Sequence, residues 1–465
     1  MHNSVGTPER PARIAVIGAG PAGFYTIEAL LKQPDLHCTI DLFNRFPPPF
    51  GLVREGVAPD HQAIKSVTRI YDKIASDKRV RYFGNVTFGS DVLHEEMKQY
   101  YDQMVYAVGA QADRQLHIPG EDLVGIYSAR AFVNWYNGHP DYCGWQFNLS
   151  HERVVVVGNG NVAMDVARIL VTPPERLAET DIADYALKML KKSKVREVVM
   201  LGRRGPEQAA FTTPELKELS DLTGANIFVS LEDLQPDRIG QDTLVPHKMV
   251  SKNMTVLREY AERKNQKAKR NIRMRFFVSP IELRGKNGIV HSVKIEKNEL
   301  VSDSYGILRA KGSGQFETIE TGMVLRSVGY RSVPLRGVPF DEAGYRIPNV
   351  AGRVVYYASG EPVMGEYVVG WAKRGASGVI GTNRPDAFST VAAMIEDLPK
   401  LRGVSDKHRN PVEIEHLLKK RGVEYVTYAD WKKVDAYELA RGKEQNRPRV
   451  KVWQVADMLE IIRKF

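Results

Sequence analysis

The stretch RIAVIGAGPAGFYTIEALLKQ (residues 13–33) constrains the chain most. Its first residues are apolar almost without interruption, which reads as a strand buried on both faces of a parallel sheet. The strand runs into Gly18, and Gly18, Gly20 and Gly23 complete G-x-G-x-x-G ahead of a segment with helical periodicity. Each glycine has a mechanical task. The first allows the tight turn, the second lets backbone approach a pyrophosphate, and the third permits close packing of helix on strand. With Pro21 and Ala22 in the turn, the helix N-terminus presents N–H groups and a positive dipole end to phosphate.

The arrangement recurs in VVVVGNGNVAMD (154–165), where Gly158 and Gly160 repeat the turn and Ala163 takes the third small position. Two cradles 140 residues apart imply two nucleotides, and the strand after each indicates which. In CTIDLFNR (38–45), Asn44 stands where an acid would grip a ribose 2′-hydroxyl, and Asp41 lies three residues earlier, inside the strand. After REVVMLG (196–202) come Arg203 and Arg204, whose guanidiniums suit a 2′-phosphate and select NADP over NAD. The first cradle has no such arginine pair. The expectation is FAD in the first cradle and NADP in the second, since a flavin accepts a hydride from a nicotinamide and releases electrons singly.

A chain of 465 residues exceeds one hydrophobic core. MVYAVGA (104–110) and MVLRSVGYR (323–331) read as the crossings between two nucleotide domains. The expected fold is α/β, with two Rossmann-like dinucleotide-binding domains on a glutathione-reductase-like plan, the second inserted into the first. Residues 1–113 and 322–465 form the FAD-binding domain and 114–321 the NADP-binding domain, which includes a β-rich portion from Asn271 onward.

Composition narrows the function. Two cysteines, Cys38 and Cys143, cannot supply an iron–sulfur cluster, a CxxC pair or a Cys-rich zinc site, so a disulfide reductase is disfavoured. No apolar run approaches the roughly 20 residues that span a bilayer, and the expected location is cytoplasmic. The net charge of +10 gains meaning where it clusters. In 60–81, Ile64, Val67, Ile70, Tyr71 and Ile74 make an apolar stripe beside Lys65, Arg69 and Lys73 at i, i+4 and i+8. A helix over 61–75 with that face would steer an acidic protein partner. Nucleic acid is not expected, because no binding motif accompanies the basic residues.

Several stretches together carry a resemblance: GLVREGVAPDH (51–61), YAVGAQADR (106–114), VVGNGNVAMDVARIL (156–170), GRRGPEQAAFTTPEL (202–216), NEL (298–300) and GEYVVGWAKRGASGVIGTN (365–383). With RPRVKV at 447–452, the chain resembles the adrenodoxin-reductase-like ferredoxin–NADP+ reductases. The resemblance implies FAD contacts from the Gly18–Gly23 turn, Asn44, Leu52, Phe88 and Trp371, and from the backbone of Gly378, Val379 and Ile380. It implies NADP contacts from Arg114, the turn of Asn159, Gly160, Asn161 and Val162, and Arg203, Arg204 and Glu215, with Gly378 near the nicotinamide. Asn44 departs from the family's acid, and Phe88 is bulkier than its valine. His61 and Glu218 are implied near the reactive rings, and His61, at a probable helix start, is expected to be neutral. The implied activity takes a hydride from NADPH into FAD and delivers single electrons to an acidic ferredoxin. A flavin monooxygenase-like enzyme and a non-catalytic redox sensor that binds both nucleotides remain alternatives.

Overall fold

The computed structural model describes residues 4–222, 224–235, 248–263 and 268–465; the first three residues of the N-terminal arm lie outside them. Two sheets organise the chain, the second parallel throughout and the first parallel except at the edge where Asn349–Val350, Arg353–Val355 and Pro362–Val368 pair antiparallel. In the first, the strands run Asn349–Val350, Arg353–Val355, Pro362–Val368, Gln103–Tyr106, Ala12–Ile17, Cys38–Phe43 and Val80–Phe83. In the second they run Ile126–Ser128, Met323–Arg326, Arg153–Val157, Glu197–Leu201, Arg270–Arg275 and Ala225–Val229. The first sheet takes strands from both ends of the chain and the second takes the middle, so the second Rossmann-like unit is inserted into the first.

Each central strand is short, apolar and covered on both faces. Every residue of Ala12–Ile17 is buried, as are Val154–Val157. The cradle helices, Pro21–Leu31 and Asn161–Val171, pack back onto their strands; proline at the first helical position of Pro21–Leu31 costs no hydrogen bond. Separate apolar cores form around the two sheets, centred on Phe24 and Tyr71 in one and on Phe132 and Trp135 in the other. Asp41 lies in the interior of the first, where its carboxylate takes Arg13, Arg81 and the Tyr101 hydroxyl. Such a buried charge is tolerable only when its lone pairs are satisfied this fully.

A three-stranded antiparallel sheet, Val278–Lys286, Ile289–Ser302 and Leu308–Glu320, projects from the second unit. The outgoing and returning chains touch at the crossing, where Ala112–Asp113 pairs antiparallel with Tyr330–Arg331. The return falls later than the expected residue 322. Met323–Arg326 is hydrogen-bonded between Arg153–Val157 and Ile126–Ser128 inside the second sheet, because its buried apolar residues complete that sheet's core.

The expected helix over 61–75 is also different. The chain forms two short helices, Gln62–Lys65 and Thr68–Ala75, and the break turns Lys65 inward. Among the described residues no helix is long and apolar enough to cross a membrane.

Candidate functional site

The first cradle is tight below and open above. Gly18 has φ +110, and a Cβ there would lie 2.5 Å from the Ala107 carbonyl oxygen. A Cβ on Gly23 would lie 2.1 Å from the Gly18 oxygen, which fixes the close helix–strand packing. A Cβ on Gly20 would meet no protein atom within 4 Å. That open space over the turn leaves room for a pyrophosphate to approach the backbone. The cavity continuing from it is lined by Gly18, Gly20, Pro21, Ala22, Asn44, Leu52, Phe88, Trp371, Val379 and Ile380. Gly23 lies beneath the cavity. Gly378 shapes the Trp371 side, where its φ of +79 leaves little room for a side chain, because a Cβ would meet Thr382 Oγ1 at 2.7 Å.

Asn44 reaches the cavity with most of its amide already engaged. Its Oδ1 accepts from the Ala19 N–H at 3.3 Å, and its Nδ2 donates to the carbonyls of Phe46 and Pro48, both at 3.0 Å. One lone pair of Oδ1 is left for a ribose hydroxyl. Asp41, in its network with Arg13 and Arg81, does not reach the cavity.

The second cradle repeats the logic. Gly158 has φ +132, and a Cβ there would sit 2.2 Å from the Ser327 oxygen. The chain at 210–212 closes against the turn: the Ala210 N–H donates to the Asn159 oxygen at 3.2 Å and the Thr212 N–H to Asn161 Oδ1 at 2.8 Å. Val162 follows in the first turn of the helix. Arg203 and Arg204 stand at the end of the neighbouring strand without an acidic partner among the described residues. Burial, then the charges of Arg203 and Arg309, hold Arg204 below its usual pKa. The guanidiniums of Arg203 and Arg204, crowded by Arg309, have the chemistry that suits a polyanion. Arg309, on the projecting sheet, has no local signal in the sequence that ties it to this place. Arg114 is exposed beside the crossing, its N–H donating to the Gly329 oxygen at 3.1 Å. Glu215 Oε2 is buried with no hydrogen-bond partner among the described residues, a spare acceptor. The open space at Gly20, the unpaired arginines and this orphan oxygen fit a flavin dinucleotide in one cradle and a 2′-phosphorylated nicotinamide dinucleotide in the other.

His61 and Glu218, 157 residues apart, meet between the two units with Nε2 and Oε2 at 2.7 Å. His61 caps Gln62–Lys65 of the first unit, and Glu218 ends Thr213–Glu218 of the second. The histidine is not biased toward neutrality as expected. Burial alone would lower its pKa, but the Glu218 hydrogen bond and the charges of Asp165, Glu218 and Glu215 raise it above the usual value. A helix of four residues supplies too little dipole to oppose three carboxylates. Asp165, half-buried on the Asn161–Val171 helix, has its carboxyl pushed up to about 7, chiefly by its loss of water contact.

The expected docking lysine is elsewhere. Lys65 is 8% exposed, and its Nζ lies 2.7 and 2.8 Å from the two Asp181 oxygens. Those contacts, with Lys451 Nζ 3.5 Å from Asp181, form a buried joint between the two units. Arg69 and Lys73 do face solvent, beside exposed Ile64 and Ile70.

Comparison with known proteins follows the same lines. Residues 12–201 match the family model described as pyridine nucleotide-disulphide oxidoreductase. The NADPH-ferredoxin reductase FprA of Mycobacterium tuberculosis is 46% identical over 461 residues, spanning 97% of this chain and 99% of that protein. The mitochondrial NADPH:adrenodoxin oxidoreductase of Arabidopsis thaliana is 41% identical, over 97% and 95%. The solved structure of M. tuberculosis FprA in complex with NADPH superposes with a TM-score of 0.91, covering 97% of this chain and all of that one at 46% identity.

Proposed function

This chain belongs to the NADPH-ferredoxin reductase family, and we propose that it carries electrons from NADPH, through bound FAD, to a ferredoxin-type iron–sulfur protein. The observation that supports the reading is the His61–Glu218 contact, which brings a residue of each nucleotide unit together at one point. When bound, the flavin supplies the conversion of a two-electron hydride donor into single-electron steps.

The chain's own residues bind, orient and hold protons. The turn at Gly18, Gly20, Pro21, Ala22 and Gly23 offers backbone to the FAD pyrophosphate, and Asn44, Leu52, Phe88, Trp371 and the Gly378–Ile380 backbone line the rest of its bed. Asn159–Val162 receives the NADP pyrophosphate, Arg203 and Arg204 its 2′-phosphate, and Arg114 and Glu215 complete the site. His61 and Glu218 share a proton at Nε2 beside the reacting rings and hold the two units in register, so that positioning supplies much of the rate. The first unit comprises residues 1–113 together with the chain after its return, and the NADP unit lies between.

The acceptor docks by charge. Arg69 and Lys73, with exposed Ile64 and Ile70, make a basic and apolar face suited to an acidic ferredoxin. The test is stopped-flow reduction of the bound flavin by NADPH, followed by mixing with an oxidised [2Fe–2S] ferredoxin. Rapid bleaching of the flavin and then of the cluster is the expected result. Binding of both nucleotides without either reaction would favour the sensor, and stoichiometric oxygen use with an organic substrate would favour a monooxygenase.

A further inference from the structure

Arg168 belongs to neither cradle turn, yet its buried guanidinium is the hub of the cluster between them. From the Asn161–Val171 helix its Nη1 donates to Asp60 Oδ2, and its Nη2 donates to Asp165 Oδ1 at 2.7 Å and to His61 Nε2 at 2.8 Å. Its Nε lies 3.7 Å from Glu218 Oε2. His61 Nε2 is therefore within hydrogen-bond distance of a permanent donor, Arg168, and of a carboxylate acceptor, Glu218. One ring nitrogen cannot serve both. Without a proton it accepts from Arg168 and opposes its lone pair to Glu218; with a proton it donates to Glu218 and faces the guanidinium.

We propose that Arg168 is a positioning residue for His61: the proton on Nε2 selects Glu218 or Arg168 as partner, and Arg168 sets the pH at which the selection changes. The proton comes from solvent and returns to it, and no other bond is made or broken. Every charged group facing the ring takes part. Glu218 and Glu215 from Thr213–Glu218, and Asp165 from Asn161–Val171, favour the imidazolium, while Arg168 opposes it. Asp60, next to His61 in the chain, and Asp165 hold the guanidinium where it can do so. Nδ1 lies 3.9 Å from Asp165 Oδ1, so the neutral ring keeps its other proton on that side. The importance of the selection for catalysis rests on the placement of His61 beside the reacting rings proposed above.

The decisive measurement is independent of turnover. The flavin-bound protein, labelled in its histidine rings, is titrated by NMR, with the His61 signal identified by its loss in His61→Gln. The midpoint should rise in the order wild type, Arg168→Lys, Arg168→Gln. Lysine keeps the charge but cannot fork to His61 and both aspartates; glutamine removes the charge, and its shift should reach about one pH unit, tenfold in the proton-binding constant. Glu218→Gln should move the midpoint the other way, which general loosening of the site would not do. If Arg168→Gln loses its flavin, Arg168→Lys against wild type decides the matter. Unchanged or lowered midpoints in the Arg168 variants overturn the proposal. Flavin reduction by NADPH is followed over pH in the same proteins. A rate profile that tracks the NMR midpoints upholds the selection together with the role of His61, whereas ordered midpoints with a stationary profile uphold the selection and remove His61 from the reaction.

Discussion

Truncating Arg204 tests the proposed 2′-phosphate site apart from the rest of the NADPH contacts. Arg204 is half-buried and Arg203 exposed, and neither is neutralised by an acid among the described residues. A charge-assisted hydrogen bond contributes about 1.5–3 kcal/mol when water is partly excluded, and about 1.4 kcal/mol is tenfold in affinity. Arg204→Ala should therefore raise the NADPH KM about 30-fold, for a loss of roughly 2 kcal/mol. At the exposed position screening reduces the effect, so Arg203→Ala should cost only about 1 kcal/mol, or some fivefold, and fade as salt is raised. The NADH KM should change less than about twofold in either variant, because NADH has no 2′-phosphate to lose. Steady-state reduction of ferricyanide with each coenzyme, at low and high ionic strength, gives all four constants. Equal losses with NADPH and NADH would refute the assignment, as would a larger effect at Arg203 than at Arg204.

Gly20→Val should yield a folded but colourless protein, since its side chain enters only the open space above the turn, whereas Gly18→Val should fail to fold against the Ala107 carbonyl; absorbance and circular dichroism check both, and a yellow Gly20→Val protein would contradict the cofactor's place. Charge reversal at Arg69 and Lys73 should slow ferredoxin reduction and flatten its salt dependence without altering flavin reduction by NADPH. Lys65→Met should instead cost about 3–5 kcal/mol by leaving Asp181 short of a partner, and a melting point unmoved from wild type would remove the joint. His94, buried against Glu366 with Nε2 and Oε1 2.9 Å apart, has its pKa raised: burial would lower it, but the Glu366 hydrogen bond and charge outweigh that. Its raised pKa contributes stability that is full below about pH 6.5 and is lost as pH rises through the folded-state value. Glu366→Gln should abolish that part of the melting profile, and parallel profiles would dismiss the pair.

The parts legible in the sequence are those whose cause is local. Gly18 and Gly158 announce themselves because a positive-φ turn packed on a carbonyl admits nothing larger, and the place of Arg203 and Arg204 at a strand end is legible because they follow that strand directly. Lys65 misleads because the i, i+4, i+8 spacing it shares with Arg69 and Lys73 assumes one straight helix. The break after Lys65 sends it inward to Asp181, 116 residues away, and leaves Ile64 and Ile70 of the supposed inner stripe in solvent. His61 and Glu218 come from family resemblance alone, since no spacing rule links residues 157 apart. Arg168 and Arg309 carry no signature at all: a guanidinium on a helix or a strand acquires its task only when the fold brings other charges to it.

The joint between the units also has an order of construction. Arg447 donates to the carbonyl oxygens of Thr180 and Ile182, and Lys451 donates to those of Arg54 and Asn137. Arg447 lies 263 residues beyond its other partner, Asp184, so a ribosome delivers this fastener long after it has made both nucleotide sites. Until then the nascent halves meet through earlier contacts such as Lys65–Asp181 and His61–Glu218, and the late segment both completes the first core with Val452, Met458 and Ile461 and adds its own bonds across the seam.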